Sequence, residues 1–226
     1  MLFAGCAGAG PAPVHHPETP VWEIPAAALG SQRLYRVTTS GTQGEGSFRL
    51  SLLLASPERY QVRAVDPVGR ALWTLDVEAE RGLFLDHRSS AYCVFEGRFD
   101  LSGVPLAPFP LMSLPALLLE RVPGEPAAPP RQSGREVAFA DAGGRRWTAT
   151  LDGGRVASWT VWDGETPAYL WVRRGDWAIL SDRRQGVQVR WRQVLSEPLG
   201  AAPAVLTPPE GFRAGDCRPA PAGAGG

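Results

Sequence analysis

The sequence predicts a mainly β protein of the α+β class, built on one curved antiparallel sheet of about eleven strands. Apolar residues alternate with period two over most of the chain, and turn residues recur every eight to twelve residues or so. A single proline-rich stretch, residues 102–133, separates two runs of this pattern. We expect one domain over residues 21–197, with a tether before it and a Pro/Gly/Ala-rich tail at 198–226.

The first run of strands lies between Leu34 and Phe95. Its apolar members alternate with polar ones, as in Phe48, Leu50, Leu52 and Leu54, or Trp73, Leu75 and Val77. Such alternation is typical of antiparallel sheet with one buried face, and the turns divide this run into about six strands. The same pattern from Arg135 to Leu195 predicts about five or six more.

Two segments have a helical pattern. The first is a short N-terminal helix at residues 22–29, and the second is Leu111–Arg121 inside the proline-rich stretch. Pro115 is compatible with a first helical turn, and Leu114, Leu117 and Leu118 then fall on neighbouring positions of one face. An apolar helix between two halves of a sheet must cover something, so we expect a helical lid over the open mouth of a curled sheet.

The N-terminus resembles a bacterial lipobox, since the small pair Ala4-Gly5 directly precedes Cys6. This predicts lipid attachment at Cys6. A signal peptide also needs a basic start and about seven to fifteen apolar residues, but only Leu2 to Gly5 precede Cys6 after Met1. We therefore expect a start codon placed too far downstream, a chance match being the alternative. Residues 1–20 then form a truncated signal and a Gly/Ala/Pro-rich tether.

The two remaining cysteines, Cys93 and Cys217, are candidates for a disulfide in an oxidising envelope compartment. Such a bond would fix the C-terminus to the sheet. The alternative is two unrelated thiols, because the sequence does not supply the Cα separation on which a disulfide depends.

Charge and hydropathy exclude some partners. The chain has 23 basic residues, all arginine, and 23 acidic ones, so counterion release provides little drive toward nucleic acid. No apolar run reaches the roughly eighteen residues that a membrane-spanning helix needs.

No catalytic constellation is evident, and we predict that the protein is not an enzyme. His87 is the only histidine outside the tether, and Asp86 and Ser89 beside it suggest a hydrolase. Adjacent strand residues face opposite sides, however, so a polar turn is the better interpretation. No histidine–cysteine cluster has metal-ligand spacing, and no glycine-rich loop precedes a helix, so neither metal nor cofactor is expected.

The order of these elements resembles the outer-membrane lipoprotein carrier and receptor family of the Lol system, LolA and LolB. The best local match is the segment Tyr60–Arg70 with the following Leu72–Asp76, which is similar to a strand, turn and strand of the LolB receptor, itself a lipoprotein. The resemblance implies a half-open β-barrel with a helical lid. It also implies a protruding turn at Pro67, Val68 and Gly69 whose apolar residue helps to pass cargo into the membrane. An ordinary turn, with proline fixing φ and glycine left-handed, is the alternative.

An apolar concave face would suit acyl chains, since burying each methylene is worth about 0.8 kcal/mol. Large rings on such a face either line a pocket or fill it. The candidate lining residues are Leu50, Leu52, Trp73, Leu75, Val77, Leu114, Leu117, Leu118, Trp147, Trp159, Trp171 and Trp191.

We therefore expect an envelope lipoprotein, anchored by Cys6 to the periplasmic face of the outer membrane, that binds and delivers acyl chains of lipids or lipoproteins. Ala7 after the cysteine, in place of aspartate, favours the outer membrane by the sorting rule associated with the family. A periplasmic carrier protein is a further expected partner. The alternative is a non-catalytic assembly or scaffold lipoprotein with a filled core, and a hydrolase ranks third.

Overall fold

The computed structural model describes residues 20–41, 44–79, 81–96 and 113–215. These residues form fourteen strands and two short helices. A 3-10 helix at Ala26–Ala28 precedes the first strand, and α1 (Leu114–Leu118) lies between the sixth and seventh strands. In chain order the strands are β1 (Ser31–Gly41), β2 (Gly44–Ser56), β3 (Arg59–Val65), β4 (Ala71–Glu78), β5 (Arg81–Asp86), β6 (Ala91–Glu96), β7 (Arg131–Ser133), β8 (Glu136–Ala140), β9 (Arg146–Asp152), β10 (Arg155–Asp163), β11 (Thr166–Arg174), β12 (Trp177–Asp182), β13 (Val187–Pro198) and β14 (Arg213–Ala214).

All of these strands belong to one curved, open sheet with the order β14-β6-β5-β4-β3-β2-β1-β13-β12-β11-β10-β9-β8-β7. Neighbouring strands are antiparallel except for β14, which runs parallel to β6. The two halves of the chain meet where β1 pairs with β13, with Val37 opposite Trp191. The predicted mainly β class and curved antiparallel sheet are thus confirmed.

The alternation seen in the sequence places one face of this sheet on the concave side. In β2, for example, Phe48, Leu50, Leu52 and Leu54 are buried while Arg49 between them is exposed. The inward residues of β1 to β4, β6 and β8 to β13 belong to one continuous hydrophobic core. A single sheet buries so many apolar side chains only by curling around them and accepting a cover over its concave side.

The predicted count of about eleven strands is wrong, since the described residues form fourteen. The first run gives six strands and the second gives six, at the upper end of the expectation. The two additional strands, β7 and β14, have three and two residues. They are too short for a period-two pattern to reveal them.

The predicted helical lid is also wrong as far as the structure describes residues 102–133. From Ser113 onward this stretch contains one helix of five residues, α1. Glu120 ends it in the left-handed conformation, with φ of 59°. The amides of Glu120 and Arg121 bond to the carbonyls of Leu117 and Ala116, which is a Schellman motif with glutamate in the usual place of glycine. The N-terminal helix expected at 22–29 is likewise reduced to three residues, Ala26–Ala28.

The chain after β13 returns across the convex side of the sheet. Its path is fixed by hydrogen bonds from Leu199 N to Gly30 O, from Arg59 Nη2 to Pro203 O and from Leu206 N to Asp76 Oδ2. It then forms β14 beside β6. A second patch of buried residues lies on this side of the sheet, formed by Thr74, Asp76, Leu83 and Leu85. The C-terminal segment, residues 199–215, is bound to this patch through Asp76.

Candidate functional site

The twelve side chains proposed to line a cavity lie on the concave side of the sheet or on α1, and all are buried in one core. Trp73 is the most exposed of them at 8%, and the four other tryptophans are at most 1% exposed. The structure therefore brings these twelve residues together. In the described part of the chain they pack into the same core, and none of them forms an exposed apolar surface.

Aromatic rings cross the second half of the sheet as a row of four. Phe139 stacks on Trp147 with ring centroids 6.0 Å apart, Trp147 lies 5.6 Å from Trp159, and Trp159 stacks on Trp171 at 6.1 Å. The row follows the strand register, because Phe139 is opposite Trp147 and Trp159 is opposite Trp171. The rings on this side fill space against each other.

Trp162 belongs to the opposite side of the sheet. The pairing of β10 with β11 is irregular between Val161 and Trp162. Its indole donates to Thr148 Oγ1 at 3.0 Å, and the Arg146 guanidinium lies 4.8 Å from its ring centroid. Trp162 therefore contributes nothing to the concave core.

The indole N–H groups of the concave side differ in how they are satisfied. Trp147 Nε1 donates to Asp141 Oδ2 at 3.0 Å. Trp171 Nε1 and Trp191 Nε1 are buried and have no hydrogen-bond partner in the described structure. Leaving a buried donor unsatisfied costs about 1–3 kcal/mol, so these two donors need an explanation.

Two segments without strands cover the tryptophan-rich half, namely residues 20–30 and 113–124, which we call the cover. They are bound to each other by Val122 N donating to Val21 O and by Arg121 donating to Pro20 O and Glu23 O. Trp22 also packs edge-on against Phe139, 5.7 Å between centroids. The cover thus consists of two strips joined mainly through backbone carbonyls.

Gly124 brings the backbone of the cover directly against Trp147. A Cβ added there would lie 2.5 Å from Trp147 Cε2. Because that atom belongs to a rigid, fully buried ring, no larger residue fits without displacing the cover.

Glu120 anchors the far end of α1. Its carboxylate lies 2.9 Å from Arg173 Nη2, on β11 of the sheet. Burial raises the pKa of Glu120, and the charges of Arg173 and Arg155 only partly oppose that effect. This ion pair links the cover to the sheet, and no sequence pattern predicts it.

The turn at Pro67, Val68 and Gly69 projects from the end of the β3–β4 hairpin. Val68 is 77% exposed, and Gly69 has φ of 93°. Asp66 holds the turn by accepting the amides of Val68 and Arg70 and the Arg70 Nε–H. A rigid turn therefore presents an apolar side chain to solvent.

His87 and its neighbours do not form a catalytic arrangement. Asp86 accepts from the Arg88 amide and the Ser89 hydroxyl, 2.9 Å and 2.7 Å, as in an ordinary polar turn. His87 Nε2 is 2.9 Å from Thr74 Oγ1. Burial and the nearby Arg63 charge lower the pKa of His87, against the opposing effect of Asp86. Its ring packs edge-on against Phe212 of the C-terminal segment, which favours a structural role.

The cysteines are only partly described. Cys93 is disulfide-bonded and 8% exposed. Cys6, the expected site of lipid attachment, and Cys217 both lie outside the described residues. Among the described residues, no group of three or more His, Cys, Asp or Glu side chains is arranged to hold a metal ion.

Within the same ranges, no helix has the length and apolar character needed to cross a membrane.

Comparisons with known proteins complete the description of the site. No protein-family profile and no curated protein matches the chain. Solved structures that are similar to it include a LolA superfamily protein from Nitrosomonas europaea, with 10% identity and a TM-score of 0.49 over 78% of this chain and 88% of that one. A domain provisionally named an outer membrane lipoprotein-sorting protein, from Vibrio parahaemolyticus, has 10% identity and a TM-score of 0.47, covering 76% and 86%. A DUF1329 family protein from Desulfovibrio piger has 7% identity and a TM-score of 0.48, covering 78% and 89%.

Proposed function

We propose that this protein binds acyl chains of lipids or lipoproteins against the concave side of its sheet and helps to deliver them to the outer membrane. The function is non-catalytic. Its physical basis is a curved sheet whose concave side is mainly apolar, covered by the two short strips at 20–30 and 113–124. Moving each acyl methylene from water to this face contributes about 0.8 kcal/mol, so a long chain can offset the loss of the cover's own apolar contacts.

The observation that carries this proposal is the pair of unsatisfied indole donors. Trp171 Nε1 and Trp191 Nε1 are buried on a mainly apolar face and have no acceptor in the described structure. An acyl ester or amide carries a carbonyl oxygen at the head of its apolar chain. Such a carbonyl would accept one of these N–H groups while the chain lies along the neighbouring apolar side chains.

Entry of a chain requires the cover to move. The strips are bound to each other through Val122, Arg121 and three backbone carbonyls, and to the sheet through the ion pair of Glu120 with Arg173. Single hydrogen bonds and partly exposed ion pairs each contribute about 1 kcal/mol. The strips also bury apolar side chains in the core, Leu117 among them, so an entering acyl chain must replace those apolar contacts as well as the polar ones.

Delivery to a membrane would use two further parts of the chain. Lipid attachment at Cys6 would hold the protein on the periplasmic face of the outer membrane, with residues 7–20 as the tether. Val68, exposed on its rigid turn, would contact the membrane as cargo leaves. A periplasmic carrier protein is the proposed source of the cargo.

The test is binding of a defined fluorescent fatty acid to the full chain, with native mass spectrometry of the purified protein for bound lipid. Leu117→Ala removes apolar contacts from α1, where Leu117 is fully buried. We expect this variant to bind the probe faster than the parent chain. Leu85→Ala deletes the same atoms from a buried leucine on β5 that faces the convex side, away from the proposed acyl-chain site, and serves as the matched control.

Faster probe binding by Leu117→Ala, with no change in the control variant, supports binding of acyl chains beneath the cover. The absence of probe binding in the parent chain and in both variants would sink the proposal. An equal change in both variants would also contradict it, because general loosening of the core would then explain the result.

A second candidate function is an envelope assembly or scaffold lipoprotein with a filled core. The stacked row from Phe139 to Trp171 favours it, since rings in contact leave no space between them. This alternative predicts that the protein purifies without lipid and that Leu117→Ala lowers stability by about 2–5 kcal/mol without any gain of ligand.

A further inference from the structure

Three arginines face each other across neighbouring strands on the convex side of the sheet. Arg36 of β1 lies directly opposite Arg49 of β2 on one side and opposite Arg192 of β13 on the other. Directly opposed residues have Cβ atoms about 5 Å apart, and like charges in such pairs are destabilising. We call Arg36, Arg49 and Arg192 the arginine row.

No carboxylate in the described structure forms an ion pair with any member of the arginine row. Arg192 Nε is buried and lacks a hydrogen-bond partner there. The guanidinium groups of Arg192 and Arg190 both lie against the Trp177 ring, 5.2 Å and 5.3 Å from its centroid. Stacking thus holds Arg192 in place without satisfying its Nε donor.

An open cleft of about 310 Å³ lies over two members of this row, Arg36 and Arg49. It is lined by Arg36, Ser47, Phe48, Arg49, Pro67 and Val194. The Arg49 guanidinium extends toward the protruding turn, because a Cβ added to Gly69 would be 3.9 Å from Arg49 Nη2. The cleft therefore combines positive charge with apolar walls and opens beside exposed Val68.

We propose that this cleft binds the phosphate group of an anionic ligand, with phospholipid headgroups as its natural source. Guanidinium groups present N–H donors in a planar fork that matches phosphate oxygens, and a single phosphate accepts from several of them. A bound phosphate would neutralise the opposed charges of Arg36 and Arg49. Pro67 and Val194 would contact the less polar part of the headgroup. This site is on the opposite side of the sheet from the acyl-chain site and does not depend on it.

The test measures sedimentation of the full chain, without fatty acid, with vesicles of phosphatidylcholine alone or mixed with phosphatidylglycerol. Arg36→Gln/Arg49→Gln is compared with Arg131→Gln/Arg183→Gln, which removes the same charge from two exposed arginines outside the cleft. We expect binding to the mixed vesicles only, weakened about fivefold for each arginine removed from the row. The control pair should change it far less.

A second arm titrates the same variants with inorganic phosphate by calorimetry. Phosphate binding that disappears in Arg36→Gln/Arg49→Gln supports the site, and its strength relative to vesicle binding identifies the source of the phosphate. Arg36→Gln/Arg49→Gln should also unfold at a higher temperature than the parent chain, since opposed charges are removed. Equal binding by the parent chain and this variant in both arms, or equal losses in the two double variants, would overturn the proposal.

Discussion

Arg59 and Asp76 form an ion pair across β3 and β4, with Arg59 Nη1 2.7 Å from Asp76 Oδ1 and both side chains largely buried. The same two residues hold the C-terminal segment. Arg59 Nη2 donates to Pro203 O, and the Leu206 amide donates to Asp76 Oδ2. One buried pair thus links the convex side of the sheet to a segment more than a hundred residues later in the chain.

Asp76→Asn is expected to lower the free energy of unfolding by about 3–5 kcal/mol, because it leaves the Arg59 guanidinium buried without its counter-charge. It should also make residues 199–215 more sensitive to protease. Urea denaturation and limited proteolysis measure the two effects. Glu96→Gln is the control, since Glu96 pairs with Arg81 at the exposed surface and should change stability by less than about 1 kcal/mol. Parent-like proteolysis of Asp76→Asn would show that the segment is held by other contacts.

Asp141 should make the stability of the protein depend on pH in the acidic range. Burial by itself raises the pKa of Asp141, but hydrogen bonds from Trp147 Nε1 and from Arg145 outweigh it and lower the pKa below its ordinary value. A lowered pKa stabilises the fold above the ordinary value, and the stabilisation is lost as pH falls through the lowered one.

Asp141→Asn should therefore cost about 2 kcal/mol at neutral pH, with the difference from the parent chain shrinking below pH 4 or so. Urea denaturation across this range measures it. Asp152→Asn is the matched control, because the Asp152 carboxylate pairs with Arg135 at the exposed surface. A difference that stays constant into acid would mean that packing of the turn, and not charge, stabilises this site.

The sequence predicts the sheet well because burial of one face requires period two. Leu50, Leu52 and Leu75 could be assigned to the concave side from alternation alone, and the structure buries all three. Trp159 and Trp162 are three positions apart, which places them on opposite faces of a straight strand. Trp162 does lie on the convex side, next to an irregularity in the pairing of β10 with β11.

The cover could not be predicted in the same way. Its short helix ends at Glu120 by adopting a left-handed conformation that glycine normally supplies, so no local signal marks the end. Its hydrogen bonds join Val122 to Val21 and Arg121 to Pro20. Contacts between residues a hundred positions apart, made through backbone carbonyls, leave no pattern in side-chain chemistry.

The arginine row was missed for a related reason. Arg36, Arg49 and Arg192 are ordinary outward residues when each strand is considered alone. Only the register of β1 against both β2 and β13 places them opposite each other, and that register depends on how the two halves of the chain meet.

Glu120 makes the stability of the cover respond to pH in the opposite direction to the effect of Asp141. Burial raises its pKa, so the folded state favours the protonated carboxyl. The stabilisation is fully present below the ordinary pKa and is lost as pH rises through the raised value. The cover should therefore be held more firmly in mild acid than at neutral pH.

Glu120→Gln imitates the protonated form and should remove this dependence. We expect the variant to gain stability relative to the parent chain as pH rises from about 4 to 7, measured by urea denaturation and by hydrogen-exchange protection of residues 113–122. The reverse trend would mean that the attraction of Arg173 for the carboxylate outweighs the cost of its burial.

The disulfide bond of Cys93 bears on how the C-terminus is attached to the sheet. Strand β14 runs beside β6, with Gly215 N donating to Tyr92 O at 2.7 Å. Since the described chain passes Cys93 two residues before Cys217, we predict that these two cysteines pair.

Peptide mapping without reductant should recover a peptide that joins Cys93 to Cys217, and Cys217→Ser should leave Cys93 open to alkylation after unfolding. Recovery of a Cys6–Cys93 peptide would contradict the prediction. Loss of the bond should destabilise the protein by about 2–4 kcal/mol, because the loop it closes is long.

Substitutions at Val68 distinguish a membrane-contacting role of the turn from a purely structural role. Since Val68 is 77% exposed on a turn held by Asp66, Val68→Glu should change stability by no more than about 0.5 kcal/mol. If Val68 contacts the membrane as proposed, the same change should slow transfer of a fluorescent acylated peptide from the full chain to phosphatidylcholine vesicles. Val68→Leu, with a longer apolar side chain, should speed it. Neutral vesicles keep the arginine row out of the comparison.

Val94→Glu is the matched control for this transfer experiment, because Val94 is also an exposed valine, at 64%, but lies on β6 away from the turn. It should transfer cargo at the parent rate. If Val68→Glu transfers cargo as fast as the parent chain, the turn has no part in delivery. If Val94→Glu slows transfer equally, the effect comes from added negative charge near the membrane, and the contact assigned to Val68 is wrong.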